Sequence, residues 1–258
     1  MGLFDLASPA FHVIDLFLAG FLPAVARVAL WGILGAAVGM WIYALLSPQD
    51  ALKRSKTNLA TAQAKLSQFD GEFSELWGLV GLTLKLALGR LGLTLGPAVG
   101  ASLPIIFLLV WISNEYGYEQ PKPSDIVDII VVGQIESGTD LKWEPADAVQ
   151  ELSDNKHWQV RWPEEGATVK LFQDKQLLMT LPSRNLSPVV HRQQWWNSLI
   201  ANPAGYLPDA AGVEALEIHL TARRIIKSGP EWMAGWPMMF FVSLILGSLA
   251  FKIVFRIH

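Results

Sequence analysis

The chain has 258 residues, no cysteine and a formal charge of -3; 52% of its residues are hydrophobic and 17% are charged. A soluble globular domain usually carries roughly 25% charged residues, so this composition excludes an ordinary water-exposed surface along the whole length. The acidic balance also excludes a nucleic-acid binder, because phosphate would be repelled rather than neutralised.

Residues 1–23 hold FHVIDLFLAGFL at 11–22, apolar with one acid and with no Lys or Arg before it, which is unlike a cleaved signal peptide. Pro23 suits the first turn of a helix and not its interior, so it predicts a break between two helices. The first reads as an interfacial helix at the outer membrane face, and equally as an N-terminal extension of the first span. Residues 24–46 (AVARVALWGILGAAVGMWIYALL) carry one charge, Arg27, near the start, where its side chain can reach the headgroups. About 20 apolar residues suffice to cross the roughly 30 Å of hydrocarbon, and this is the first predicted transmembrane span. Gly32, Gly35 and Gly39 fall on one side of it and predict close helix contact, within the chain or with a partner.

Residues 47–95 change character. Leu52, Leu59, Leu66 and Phe73 recur at seven-residue intervals, with Ser55, Ala62, Phe69 and Leu76 three residues after each. Lys, Gln, Asn and Thr flank this narrow seam, as in a coiled coil. Asp70-Gly71 predicts a reversal, because glycine is costly inside a helix and favoured in a turn. The return arm 72–93 is apolar apart from its acidic start and Lys85 and Arg90. It packs on the first arm and dips its other side into the inner leaflet, or it is a solvated linker helix joined to an over-long second span; whether 75–93 lie in or on the membrane stays open. Residues 96–113 (GPAVGASLPIIFLLVWIS) form the second span, opened by Pro97 and Pro104.

Residues 114–231 have ordinary polarity, with 17 acidic and 11 basic side chains. Strands are expected at 125–135, 157–162, 167–173, 176–181 and 215–226, with turns at 163–166 and 174–175 and a helix at 189–201. Residues 232–254 form the third span and 255–258 a short tail. The fold class is therefore an integral membrane α-helical protein: three transmembrane helices, a cytosolic helical hairpin, and an extracytoplasmic β-rich α+β domain between spans two and three. Six basic residues lie between Ser47 and Leu95, Lys252 and Arg256 lie at the end of the last span and just after it, and none precedes Ala24. The positive-inside rule then places the N terminus outside and the C terminus in the cytosol of a bacterial-type inner membrane.

His157, His191 and His219 have no metal-ligand spacing, and no nucleophile or phosphate-loop motif occurs. No catalytic residue, metal or cofactor is expected, and the chain reads as a non-enzyme. Of eleven tryptophans, five belong to the β-rich region; Trp195 and Trp196 are candidates for a partner-binding patch.

WGILGAAVGMWIYALLSPQDALKRSKTNLATAQAKLS (31–67) and LGPAVGASLPIIFLLVWIS (95–113) resemble the first core span, the basic hairpin and the proline-opened second span of the YidC/Oxa insertase superfamily. The resemblance implies a polar groove open to cytosol and lipid, with Arg27, Tyr43, Lys85, Arg90 and Ser102 as candidates to border it or meet a client. Tyr43 stands about where the family often carries an arginine. The implied function is insertion or assembly of membrane proteins, with the lipid bilayer and client or partner membrane proteins as its partners. A non-catalytic subunit of a stable membrane complex is the alternative.

Overall fold

A computed structural model describes residues 2–133, 135, 140–153, 156–182, 187–227 and 229–255. It divides into two compact units: Met1–Gly20 with Leu109–Met238, and Phe21–Leu108 with Met239–His258.

The second unit is helical. Helix α2 (Ala24–Leu46) starts after Pro23, whose extended backbone ends the preceding segment and whose carbonyl accepts the Arg27 N–H at 3.1 Å. Helix α3 covers Gln49–Ser67, and α4 runs unbroken from Phe73 to Tyr116, entering the first unit at Leu109. The reversal between them contains Asp70-Gly71, as the sequence predicts. Helix α6 covers Trp236–Val254, after the short α5 (Glu231–Ala234) and Gly235.

The boundary expected at 95/96 falls inside one helix of 44 residues, so hairpin arm and second span are continuous, as in the alternative of a linker helix joined to an over-long span. Pro97 and Pro104 lie inside it. Each removes one N–H, facing the carbonyls of Leu93 and Gly100, a loss that helices of this apolar kind tolerate. At 1.5 Å per residue, α4 is about 66 Å long, twice the hydrocarbon thickness. Among the described residues, three helices are long and apolar enough to cross a membrane: Ala24–Leu46, Glu75–Tyr116 and Trp236–Val254.

Heptad spacing is visible in the burial of α3. From Leu52 to Phe69, only Leu52, Ser55, Leu59, Ala62, Leu66 and Phe69 are shielded, and the polar residues between them are exposed. The α4 arm repeats the three-four rhythm with partly shielded Leu76, Leu79, Thr83, Leu86, Arg90 and Leu93. Its other side exposes Trp77, Leu84, Leu88 and Leu91, so the two arms differ: α3 presents polar groups outward and α4 presents hydrocarbon.

In the first unit, α1 (Ser8–Ala19) follows a 3-10 turn at Leu3–Asp5. Eight strands form two antiparallel sheets among the described residues. They are β1 (Ile126–Val132), β2 (Leu141–Glu144), β3 (Val149–Ser153), β4 (His157–Arg161), β5 (Val169–Gln173), β6 (Gln176–Leu181), β7 (Val189–His191) and β8 (Ala215–Ile218). One sheet has the order β3-β4-β1-β8-β7 and the other β2-β5-β6. Alternation explains them: in β1, Val127, Ile129 and Val131 are buried and the residues between them are not. Both sheets contribute to one core, with Ile129, Val160, Leu216 and Ile218 from the first and Trp143, Leu171 and Leu181 from the second.

The helix expected at 189–201 is corrected. Val189–His191 pairs with β8, and only Trp195–Ser198 turns, as a 3-10 helix. The strand expected at 215–226 stops at Ile218, and β2 and β3 were not foreseen. Arg256 and the rest of the 255–258 tail beyond Phe255 lie outside the described residues, as does Gln134 of the expected 125–135 strand.

Candidate functional site

Helix α2 buries one stripe, Val28, Trp31, Gly32, Gly35, Ala36 and Gly39. The glycines explain it. A Cβ on Gly32 would lie 2.7 Å from the Phe240 carbonyl oxygen of α6, and one on Gly39 would lie 3.2 Å from Ile105 Cδ1 and 3.5 Å from the Ala101 oxygen of α4. Gly35 faces Leu108 and Leu244. In return, α6 sets Gly247 against Ala36 and buries Phe240 and Ser243. Small residues thus let α4 and α6 both approach α2, where packing rather than hydrophobic transfer holds helices together.

Beside this contact the three helices leave an open, largely apolar cavity of about 230 Å³ at their surface. Ala36, Gly39, Met40 and Tyr43 line it from α2, Ala98, Ala101, Ser102 and Ile105 from α4, and Ser248 from α6. Ala98 and Ala101 are too small to fill the space opposite Tyr43. Three hydroxyls border otherwise apolar walls, those of Tyr43, Ser102 and Ser248; Ser102 Oγ donates to the Val99 carbonyl oxygen one turn back at 2.7 Å. Among the described residues its lining is mainly apolar, with Tyr43, Ser102 and Ser248 as the polar side chains, so it offers hydrocarbon contact and few hydrogen-bonding groups. An unpaired amide in lipid costs several kcal/mol, and a hydroxyl in such a groove reduces that cost.

Tyr43, Ser102 and Gly39, singled out in the sequence, converge here. Arg27 does not: it sits in the first turn of α2, sixteen residues and about 24 Å of helix from Tyr43. Lys85 is exposed and Arg90 half-buried on the α4 arm, away from the lining. Ser248 was missed; one of two serines in an otherwise apolar third span, it was the available signal.

The β region separates its tryptophans. Trp143, Trp158 and Trp162 are core, the first two in edge contact at 5.9 Å, whereas Trp195 and Trp196 are exposed. Among the described residues no group of three potential metal ligands exists. His157 Nε2 lies 3.3 Å from Asp128 Oδ1 as a surface pair. The hydrogen bond and charge of Asp140, 2.6 Å from Lys142 Nζ, raise the lysine pKa above its ordinary value, but that pair is solvated and borders no cavity.

Fold and site define a class: a protein with three helices able to cross a membrane, a cavity among them, and a separate β-sheet region. Beyond that class, comparison with family models, curated proteins and solved structures finds no match.

Proposed function

We propose that the protein is a membrane-protein insertion or assembly factor of YidC/Oxa-like type, sheltering a client segment beside its three spans. The observation that carries this reading is the hydroxyl-bordered cavity in the C-terminal half of α2, where α4 and α6 leave space instead of closing. In the proposed orientation, that half faces the cytosol of a bacterial-type inner membrane, the N terminus and the β region lie outside, and the α3 arm is cytosolic.

The contacts of the first unit support this sidedness. The Phe4 N–H donates to the Leu199 carbonyl oxygen at 2.9 Å, and the Tyr116 hydroxyl donates to the Asp15 carboxylate at 2.7 Å. Residues before α2 and residues after α4 thus share one compact unit, as two crossings between them require.

A photo-crosslinking residue at Tyr43 or Ser102, in cells synthesising a single-span protein with a polar translocated tail, is expected to capture the nascent chain. A residue at Leu246, exposed on α6, is not. Adducts of one fixed mass, with none to nascent chains, would instead establish the second reading, a non-catalytic subunit of a stable membrane complex. The apolar outer side of the α4 arm, with Trp77, Leu84 and Leu88 exposed, favours that reading.

A further inference from the structure

The first unit is inside-out in one region. Water-facing helices bury hydrocarbon and expose charge, but α1 does the reverse. Asp15, its one carboxylate, is 3% exposed, whereas Val13, Ile14, Leu16 and Phe17 are exposed, Phe17 to 74%. The 3-10 turn before it repeats the inversion, with Asp5 buried between exposed Leu3 and Leu6.

The same inversion recurs nearly 200 residues away. In the segment 195–200, Asn197 is 3% exposed, while Trp195 (81%), Trp196, Leu199 and Ile200 are exposed. Polar groups of its backbone are met internally. Asn197 Oδ1 accepts the Gln194 N–H at 2.7 Å, Asn197 Nδ2 donates to the Ile200 oxygen at 3.2 Å, and Ser198 Oγ donates to the Trp195 oxygen at 2.8 Å. Asp5 Oδ2 accepts the N–H groups of Gly2 at 3.0 Å and Ala201 at 2.8 Å, which ties this segment to the turn before α1. Gly2 fits because a Cβ there would lie 2.6 Å from the Leu199 oxygen.

We propose that Trp195–Ile200, clasped by residues 2–5, is a wedge that inserts into the interfacial zone of the lipid bilayer beside α1. Irregular backbone tolerates that zone only when its polar groups are internally paired, and tryptophan prefers it. Lipid, rather than a protein partner, is the occupant because the clasp is chained to span ends. Four residues separate α1 from α2, and Asp15 of α1 is bonded to Tyr116, the last residue of the α4 span. Residues 195–200 carry no charge of the kind that gives a protein partner its register, and on the α1 side His12 is met internally by Glu115.

This wedge rests on the three-span reading, and the test separates the two. The native chain lacks cysteine, so Trp195→Cys, Ser198→Cys, Lys175→Cys and Leu246→Cys each give one site for an environment-sensitive fluorophore. The purified full-length protein is placed in vesicles of phosphatidylethanolamine and phosphatidylglycerol, with nitroxide-bearing lipid or with aqueous iodide. Labels at 195 and 198 are expected to be quenched several-fold more by shallow nitroxide lipid than by iodide, and the label at 175 the reverse. Ser198→Cys keeps both tryptophans, so a folding defect of Trp195→Cys does not decide the result. Iodide quenching at 195 and 198, with deep nitroxide quenching retained at 246, overturns the wedge alone. Loss of lipid quenching at 246 as well overturns the three-span reading and the wedge with it.

Discussion

The Tyr116 hydroxyl donates to both carboxylate oxygens of Asp15, at 2.7 and 2.8 Å, with both side chains buried. The Tyr116 ring stands edge-on to Trp111 at 6.2 Å, and the Arg223 guanidinium lies over it, 5.1 Å from its centroid. Phe11 of α1 meets the other side of this cluster through Trp111, at 5.6 Å. Tyr116→Phe keeps the ring contacts and removes the hydroxyl's bond to the buried carboxyl group of Asp15, at a cost of about 1–3 kcal/mol. The expected outcome is a midpoint several degrees lower in detergent, together with faster proteolysis in residues 8–19. An unchanged midpoint and cleavage pattern would show that the bond does not hold α1 in place.

Gly32 and Gly35 belong to one stripe and differ in what faces them. At Gly32 the nearest group is the Ser243 hydroxyl, and the Phe240 backbone oxygen, which cannot yield, stands at 2.7 Å, whereas at Gly35 the Leu108 and Leu244 methyl groups stand at 3.2 and 3.4 Å. Gly32→Ala is expected to cost about 1–3 kcal/mol by forcing α6 off α2, and Gly35→Ala under about 1 kcal/mol. Thermal unfolding in detergent ranks them, and equal effects would contradict the geometry.

What was legible in the residues follows physical periodicity. Leu52 to Phe69 could be read as a seam because a period of three and four survives in any α-helix, and Asp70-Gly71 as a turn because glycine alone makes it cheap. Tyr43 and Ser102 are legible only through the resemblance to the YidC/Oxa superfamily, Tyr43 because it stands about where that family often carries an arginine. The continuity of α4 was legible only as an alternative, an over-long second span: Pro97 and Pro104 signal a break in water, and the rule weakens among apolar helices. QQWWN reads as helix, yet the Asn197 side chain takes the Gln194 N–H and the backbone makes only a 3-10 turn. The inward aim of Asp5, Asp15 and Asn197 was hidden too, because composition does not say which side of a helix meets the protein.

Leu52 tests the seam. It is 3% exposed on α3, while Lys56, one turn on, is exposed. Leu52→Ala is expected to cost about 2–5 kcal/mol through lost contact and a cavity, and Lys56→Ala to stay within about 0.5 kcal/mol. Limited proteolysis across 47–73 reads the difference, with the Leu52 variant cut faster. Equal rates would mean that α3 is shielded by something other than a fixed seam.

The sidedness of the chain makes the last prediction. Six basic residues in 47–95 and none before Ala24 set the electrical preference. The bonds Phe4–Leu199 and Asp15–Tyr116 require the N-terminal segment and the β region to share a side, whichever side that is. Ser67, at the end of α3, and Lys175, in the β5–β6 turn, are both exposed and therefore reachable by reagent. With Ser67→Cys and Lys175→Cys, a membrane-impermeant maleimide added to intact cells is expected to label position 175 and to reach 67 only after lysis. Labelling of 67 and 175 from one side would remove the crossing from α4, the one span between them, and the cavity beside that helix would lose its place in a bilayer.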